Sequence, residues 1–258
     1  KGLLENNYIN LTKKYTSGII NKGGTIIGSS NKTNVFNYPV EEDGKIVYKD
    51  DTCDFDFETF SDKRVLKACM KNFVNNQDVE INLVLTKEPE ESIVIATPFE
   101  KEKHFYYNQK INCMRASGTV QLGDTLVEIH EDNSYATLDW GRGVWTYHNT
   151  WYWGSGSGVV DGVDFGFNIG YGFGDTSAAS ENMIFYNGKA HKIEDVIFNI
   201  PKSKGKDDFM DEWKFTSESG DIELTFTPIF NRHSNTNALI IQSNQNQVFG
   251  RFSGKIIV

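Results

Sequence analysis

The ten residues from Phe165 to Gly174 alternate without a break between bulky and small side chains. Phe165, Phe167, Ile169, Tyr171 and Phe173 fall on one side of an extended chain. Gly166, Asn168, Gly170, Gly172 and Gly174 fall on the other. A period of two is strand geometry. The glycine side has no bulk, so a backbone, a ring or a ligand can come close to it.

A second aromatic segment lies just upstream. Four of the five tryptophans sit within the fourteen residues Trp140 to Trp153. Read as one strand, Val144 to Trp153 puts Trp145, Tyr147, Asn149, Trp151 and Trp153 on one face. Gly141 and Gly143 flank Arg142, which predicts a bulge or kink there. Such a kink would aim Asp139 and Arg142 into an interior. Two readings stay open. The rings fill a dense barrel, or they wall a flat slot for a ligand with Asp139, Arg142 and His148 among them. Asp139 and Arg142 could equally form a buried ion pair, which adds little net stability.

The rest of the chain after Cys53 reads as short strands: Cys53–Phe57, Val79–Leu85, Ser92–Ala96, Phe105–Tyr107, Ala116–Leu122, Leu126–His130, Ile222–Pro228, Ala238–Gln242 and Gln247–Val258. Turn signals fall about every ten residues, the pattern of a barrel or sandwich. Aromatic content of 13%, with 23 Gly and only 5 Pro, suits pleated surfaces joined by glycine turns. Thr176 to Asn182 reads as a short helix or turn insertion, and residues 201–212 as a charged loop. Before Cys53, Glu41-Glu42-Asp43-Gly44 predicts a turn joining Phe36–Val40 to Lys45–Lys49.

A net charge of −9 and a pI near 5.1 argue against nucleic acid and against an anionic membrane surface. No run reaches the 18 apolar residues of a membrane span. Cys53, Cys69 and Cys113 have no CxxC spacing, so reduced thiols in a cytoplasmic protein are expected. No metal or cofactor is expected. Asp161, Asp164 and Asp175 lack calcium-loop spacing, His104, His130, His191 and His233 stand apart, and no GxSxG is present. Glu181 is either a carboxylate partner for Asp139 in acid–base work or a surface charge.

Several of these segments resemble the family called domain of unknown function 2804. They are Ala96–Phe99, Phe105–Lys110, Leu138–Trp145, Trp151–Gly158, Gly166–Asn182 and Gln247–Gly254. The resemblance runs over residues 51–258 as one β domain. It implies an all-β, antiparallel, lipocalin-like (calycin-type) barrel, a truncated double barrel distantly similar to carotenoid hydratases and cyclases. By that analogy the partner is a small apolar or amphipathic molecule, bound by Trp145, Tyr147, Trp151, Trp153 and Asn168. Acid-assisted hydration, isomerisation or cyclisation would extend this, with Asp139 as proton donor, Arg142 as anchor for an anionic group, and His148 and Glu181 beside them. A non-catalytic carrier or structural domain is the alternative. A truncated barrel would leave a sheet edge unpaired, through which copies could self-associate.

Residues 1–50 resemble something else. Gly2–Asn6, Ser17–Lys32 and Asn37–Val40 are similar to an early segment of a 6-phosphofructokinase. That likeness implies a phosphate-site remnant at Gly23, Gly24 and Thr25, in an appended, chimeric segment that is not an independent domain. No GGDxS loop or TxDxD segment accompanies it, so kinase activity is not expected.

Overall fold

The computed structural model describes residues 40–42, 44–238 and 241–257. Gly23, Gly24 and Thr25, and Phe36 to Pro39 of the expected hairpin, lie outside the described residues.

Among the described residues the chain is all strand, with no helix. The first nine strands are β1 (Val40–Glu42), β2 (Lys45–Lys49), β3 (Cys53–Thr59), β4 (Lys63–Val74), β5 (Gln77–Thr86), β6 (Ile93–Pro98), β7 (Phe105–Leu122), β8 (Thr125–Ile129) and β9 (Tyr135–Val144). They form one antiparallel sheet in the order β1-β2-β3-β4-β5-β7-β6, an open half-barrel. The 18-residue β7 is its spine. One edge of β7 pairs with β6 and then β5, and the other with β9 and then β8.

A second sheet contains β10 (Tyr152–Val160), β11 (Val163–Tyr171), β12 (Met183–Tyr186) and β13 (Lys189–Lys192). A third contains β14 (Ile197–Asn199), β17 (Trp213–Thr216), β18 (Ile222–Ala238) and β19 (Ile241–Ile256). Two short strands, β15 (Lys202–Ser203) and β16 (Lys206–Asp207), pair within the charged loop. No helix among the described residues is long and apolar enough to cross a membrane.

The alternation in β11 explains the layering. Its aromatic side packs on the third sheet, where Phe167 and Ile169 join Phe198, Trp213, Phe215, Leu224 and Phe226 in the largest buried cluster. Each such ring or aliphatic chain contributes roughly 1.5–3 kcal/mol on burial. The bare side lies against β7: a Cβ at Gly166 would collide with the Cys113 sulfur. Residues 166–170 are therefore buried on both faces, in the middle of a three-layer stack. A β-bulge in β7 between Ile111 and Met114 lets this close approach happen. It turns Asn112 toward the second sheet, where its amide donates to Ser155 Oγ at 2.7 Å and to the Phe167 carbonyl at 3.0 Å. It leaves Ile111 and Met114 in a separate cluster with Leu85 and Ala116.

Four local expectations need correction. Val144 to Trp153 is not one strand. β9 ends at Val144, and residues 145–151 form a loop before β10. Glycines 172 and 174 both adopt positive φ (93° and 85°), so β11 stops at Tyr171 and Phe173 leaves the core face. Residues 176–182 make bends without a helical turn. Phe105–Tyr107 and Ala116–Leu122 belong to the single strand β7.

Candidate functional site

The register of β7 against β9 brings the first group of side chains together. Lys110 stands opposite Asp139, Asn108 opposite Gly141 and Tyr106 opposite Gly143. Period two places Tyr106, Lys110 and Asp139 on the face toward the second sheet. From that sheet come Trp153 on β10, directly across from Gly170, and Asn168 on β11. Glu181 arrives from the segment after β11.

Lys110 is the hub. Its side chain is 4% exposed, and Nζ lies 3.0 Å from Asp139 Oδ1 and 3.0 Å from Glu181 Oε2. The same ammonium sits 4.7 Å from the centre of the Trp153 ring, a cation–π contact of real weight when desolvated. The Trp153 indole N–H donates to Asn168 Oδ1 at 2.7 Å, and the Asn168 amide donates to the Glu181 carbonyl at 2.9 Å. The Gly170 N–H donates to Asn182 Oδ1 at 2.7 Å, and Lys192 Nζ donates to the Ser180 and Asn182 carbonyls at 2.9 and 3.0 Å. The segment after β11 is thus clasped to the sheet at several points. Burial holds the Tyr106 phenol well above its ordinary pKa, and the Asp139 and Glu181 carboxylates push it further. Tyr106 therefore stays a neutral hydroxyl beside the ion pairs.

Arg142 falls elsewhere. The ladder from Asp139 to Val144 has no bulge, so Arg142 points to the opposite face from Asp139. Its guanidinium lies 5.3 Å from the Trp140 ring centre and 5.9 Å from that of Tyr107. The expected Asp139–Arg142 pair is replaced by Asp139–Lys110. Lys110 escaped the sequence reading because a single lysine in a polar strand carries no spacing signal; its register with Asp139 exists only in the paired sheet.

The second group surrounds Phe173. Released from β11 by its two flanking glycines, this ring takes edge contacts from Phe99 at 5.2 Å, Tyr106 at 5.0 Å and Trp151 at 5.5 Å, and a tilted contact from Trp145 at 6.1 Å. Tyr106 belongs to both groups and connects them. Trp145 and Trp151 each remain 47% exposed despite this packing, and Tyr147 is 70% exposed.

Beside this cluster opens a cleft of about 480 Å³, lined by residues of three loops: 99–101, 146–150 and 172–175. His148 lines it, with its ring edge-on to Tyr147 at 4.9 Å. The 146–150 loop braces itself: Thr146 Oγ1 donates to Asn149 Oδ1 at 2.9 Å, and the Asn149 amide donates back to the Thr146 carbonyl. Asp175 is fixed by its N–H to the Pro98 carbonyl at 2.7 Å, and its carboxylate accepts the Ser177 N–H at 2.9 Å. That hydrogen bond lowers its pKa from the ordinary carboxylate value. Among the described residues no group of three or more His, Cys, Asp or Glu could hold a metal ion.

Compared with known proteins, residues 8–258 match the family described as a domain of unknown function, DUF2804. The chain belongs to this family. The DUF2804 match begins at residue 8, well before the β domain expected from residue 51. It therefore takes in most of the stretch that resembles phosphofructokinase. A 51-residue stretch, 19% of the chain, is 53% identical to the ATP-dependent 6-phosphofructokinase 2 of Clostridium perfringens (strain 13 / Type A). The chain spans 14% of that relative's length. No solved structure matches the chain.

Proposed function

We propose that this DUF2804 chain binds a small amphipathic molecule in the cleft beside the 145–151 loop. One observation carries the reading: Trp145 and Trp151, at the two ends of that loop, pack on Phe173 yet keep 47% of their surface open. The two rings are the chain neighbours of the lining residues Thr146 and Thr150, and exposed rings beside a concavity suit a binding surface. The all-β layering and the sequential β1 to β5 meander support a calycin-type barrel as the parent architecture.

Binding without turnover is the favoured form. Lys110 contacts both Asp139 and Glu181, which suits a clasp for the cleft wall. The acid-assisted reading draws on one observation: the Asp139 side chain is 37% exposed beside the Tyr106 hydroxyl. In that reading Asp139 donates a proton and Glu181 and His148 orient the ligand, while Arg142, on the opposite face of β9, takes no part. The three thiols, with no disulfide among the described residues, support a cytoplasmic location. The phosphofructokinase-like stretch is proposed to carry no kinase activity.

The test is titration of the chain with 8-anilinonaphthalene-1-sulfonate, followed by tryptophan and dye fluorescence. Saturable binding that weakens in Trp151→Ala supports the cleft. Unaltered binding in that variant contradicts it. Asp139→Asn should leave dye binding in place.

A further inference from the structure

We propose that the amphipathic ligand of this cleft is a carbohydrate, an inference that rests on the binding reading above. A pyranose ring has one face of C–H groups and an edge of hydroxyls. It is amphipathic on the scale of a single ring, where a lipid is amphipathic along its length.

The lining favours the ring. Thr146, His148, Asn149 and Asp175 offer a hydroxyl, an imidazole, an amide and a carboxylate, and Phe99 is the one large apolar residue among those that line the cleft. An acyl or polyene chain laid on such a surface would stay wet along most of its length and gain little from the hydrophobic effect. Hydroxyls would exchange water for fixed donors and acceptors at little cost. The volume of about 480 Å³ falls in the ordinary range for small-molecule sites.

The rings supply the other half of the recognition. Trp145, Tyr147 and Trp151 present flat, half-open or more exposed surfaces within one seven-residue loop. Phe173 packs against both Trp145 and Trp151. Rigid aromatic surfaces of this kind give contact area at low entropic cost.

The charges select among saccharides. Glu100 and Asp175 line the cleft together with Lys101 and His148, so no cationic cluster is present to anchor a phosphate or a fatty-acid carboxylate. Asp175 is held ionised and oriented by the Ser177 N–H. It is placed to accept from sugar hydroxyls. A neutral saccharide fits this balance.

The experiment probes the full chain on a glycan array of neutral, acidic and amino saccharides, and confirms any hit by calorimetric titration. Laurate and retinol are titrated in parallel. Tyr147→Ala, Trp151→Ala and Asp175→Asn are compared with the parent, and Tyr147→Ala, at an exposed side chain, leaves folding untouched. The expected result is binding of a neutral saccharide, weakened about tenfold in each variant. Saccharide binding indifferent to all three substitutions would overturn the proposal. Laurate or retinol binding that depends on Trp151, with no saccharide bound, would overturn it while leaving the binding reading intact. If no saccharide, laurate, retinol or anilinonaphthalene probe binds, both readings fall.

Discussion

Lys110 Nζ lies 3.0 Å from Glu181 Oε2, joining the middle of the longest buried strand to the segment that follows β11. That segment carries Phe173 and Asp175, so one buried ammonium helps set both the aromatic cluster and a cleft wall. Lys110→Met leaves Asp139 and Glu181 facing each other without their cation. Removing one partner of a fully buried charge pair costs about 3–5 kcal/mol, and solvent at the 37% exposed Asp139 brings the expected loss below that range. Urea denaturation should show that loss, and the triple variant Lys110→Met, Asp139→Asn, Glu181→Gln should recover most of it.

The indole of Trp153 is needed for its N–H as well as its ring. Trp153→Phe keeps most of the packing but strands Asn168 Oδ1, on a residue with no solvent exposure. An unsatisfied buried acceptor costs about 1–3 kcal/mol. A lowered urea midpoint with an unchanged m-value would agree, and a neutral substitution would contradict the assigned role.

Gly174 is fixed by conformation and by space. Its φ is +85°, and an added Cβ would lie 2.7 Å from Thr97 Cγ2 and 2.8 Å from the Pro98 carbonyl. Gly174→Ala should therefore destabilise the chain by more than about 1 kcal/mol and displace Asp175 from the cleft. Dye binding should weaken more than in a surface control such as Lys103→Ala.

The Cys113 thiol is a pH reporter for the sheet junction. Burial raises its pKa from 9.0 to about 11, and the Ser157 hydroxyl bond pulls only partly the other way. The folded chain keeps this proton where the unfolded chain loses it. The contribution to stability is thus full below pH 9 and is lost as pH rises through about 11. Stability of the parent should fall more steeply over that window than stability of Cys113→Ala. A thiol reagent at pH 8 should label Cys53 and Cys69 before Cys113.

Much of the layering was legible because Phe165 to Tyr171 alternates so strictly. The bare side of that strand predicted a close approach, and Cys113 makes it. Trp153 pairs with Gly170, whereas Trp145 and Trp151, read from the sequence as sharing its face, lie outside the strands. Strand β4 was not legible, since Lys63 to Val74 mixes charged and apolar residues without period two. The break after Val144 was also hidden: Trp145 to Trp151 keeps strand-like composition, yet it forms a loop in which Thr146 and Asn149 bond to each other and both tryptophans pack on Phe173. At the site, Asp139, Glu181, Trp153 and Asn168 do converge. Their common partner, Lys110, depends on strand register, which no local pattern encodes.

The most direct measurement is the set of five indole N–H resonances in a 15N-labelled sample titrated with 8-anilinonaphthalene-1-sulfonate. Trp145 and Trp151, adjacent in the chain to the cleft-lining Thr146 and Thr150, should shift with saturation. Trp213, buried in the third layer, and Trp153, bonded to Asn168, should stay in place. Saturable shifts confined to Trp213 or Trp140, with Trp145 and Trp151 unmoved, would contradict a binding site at this cleft.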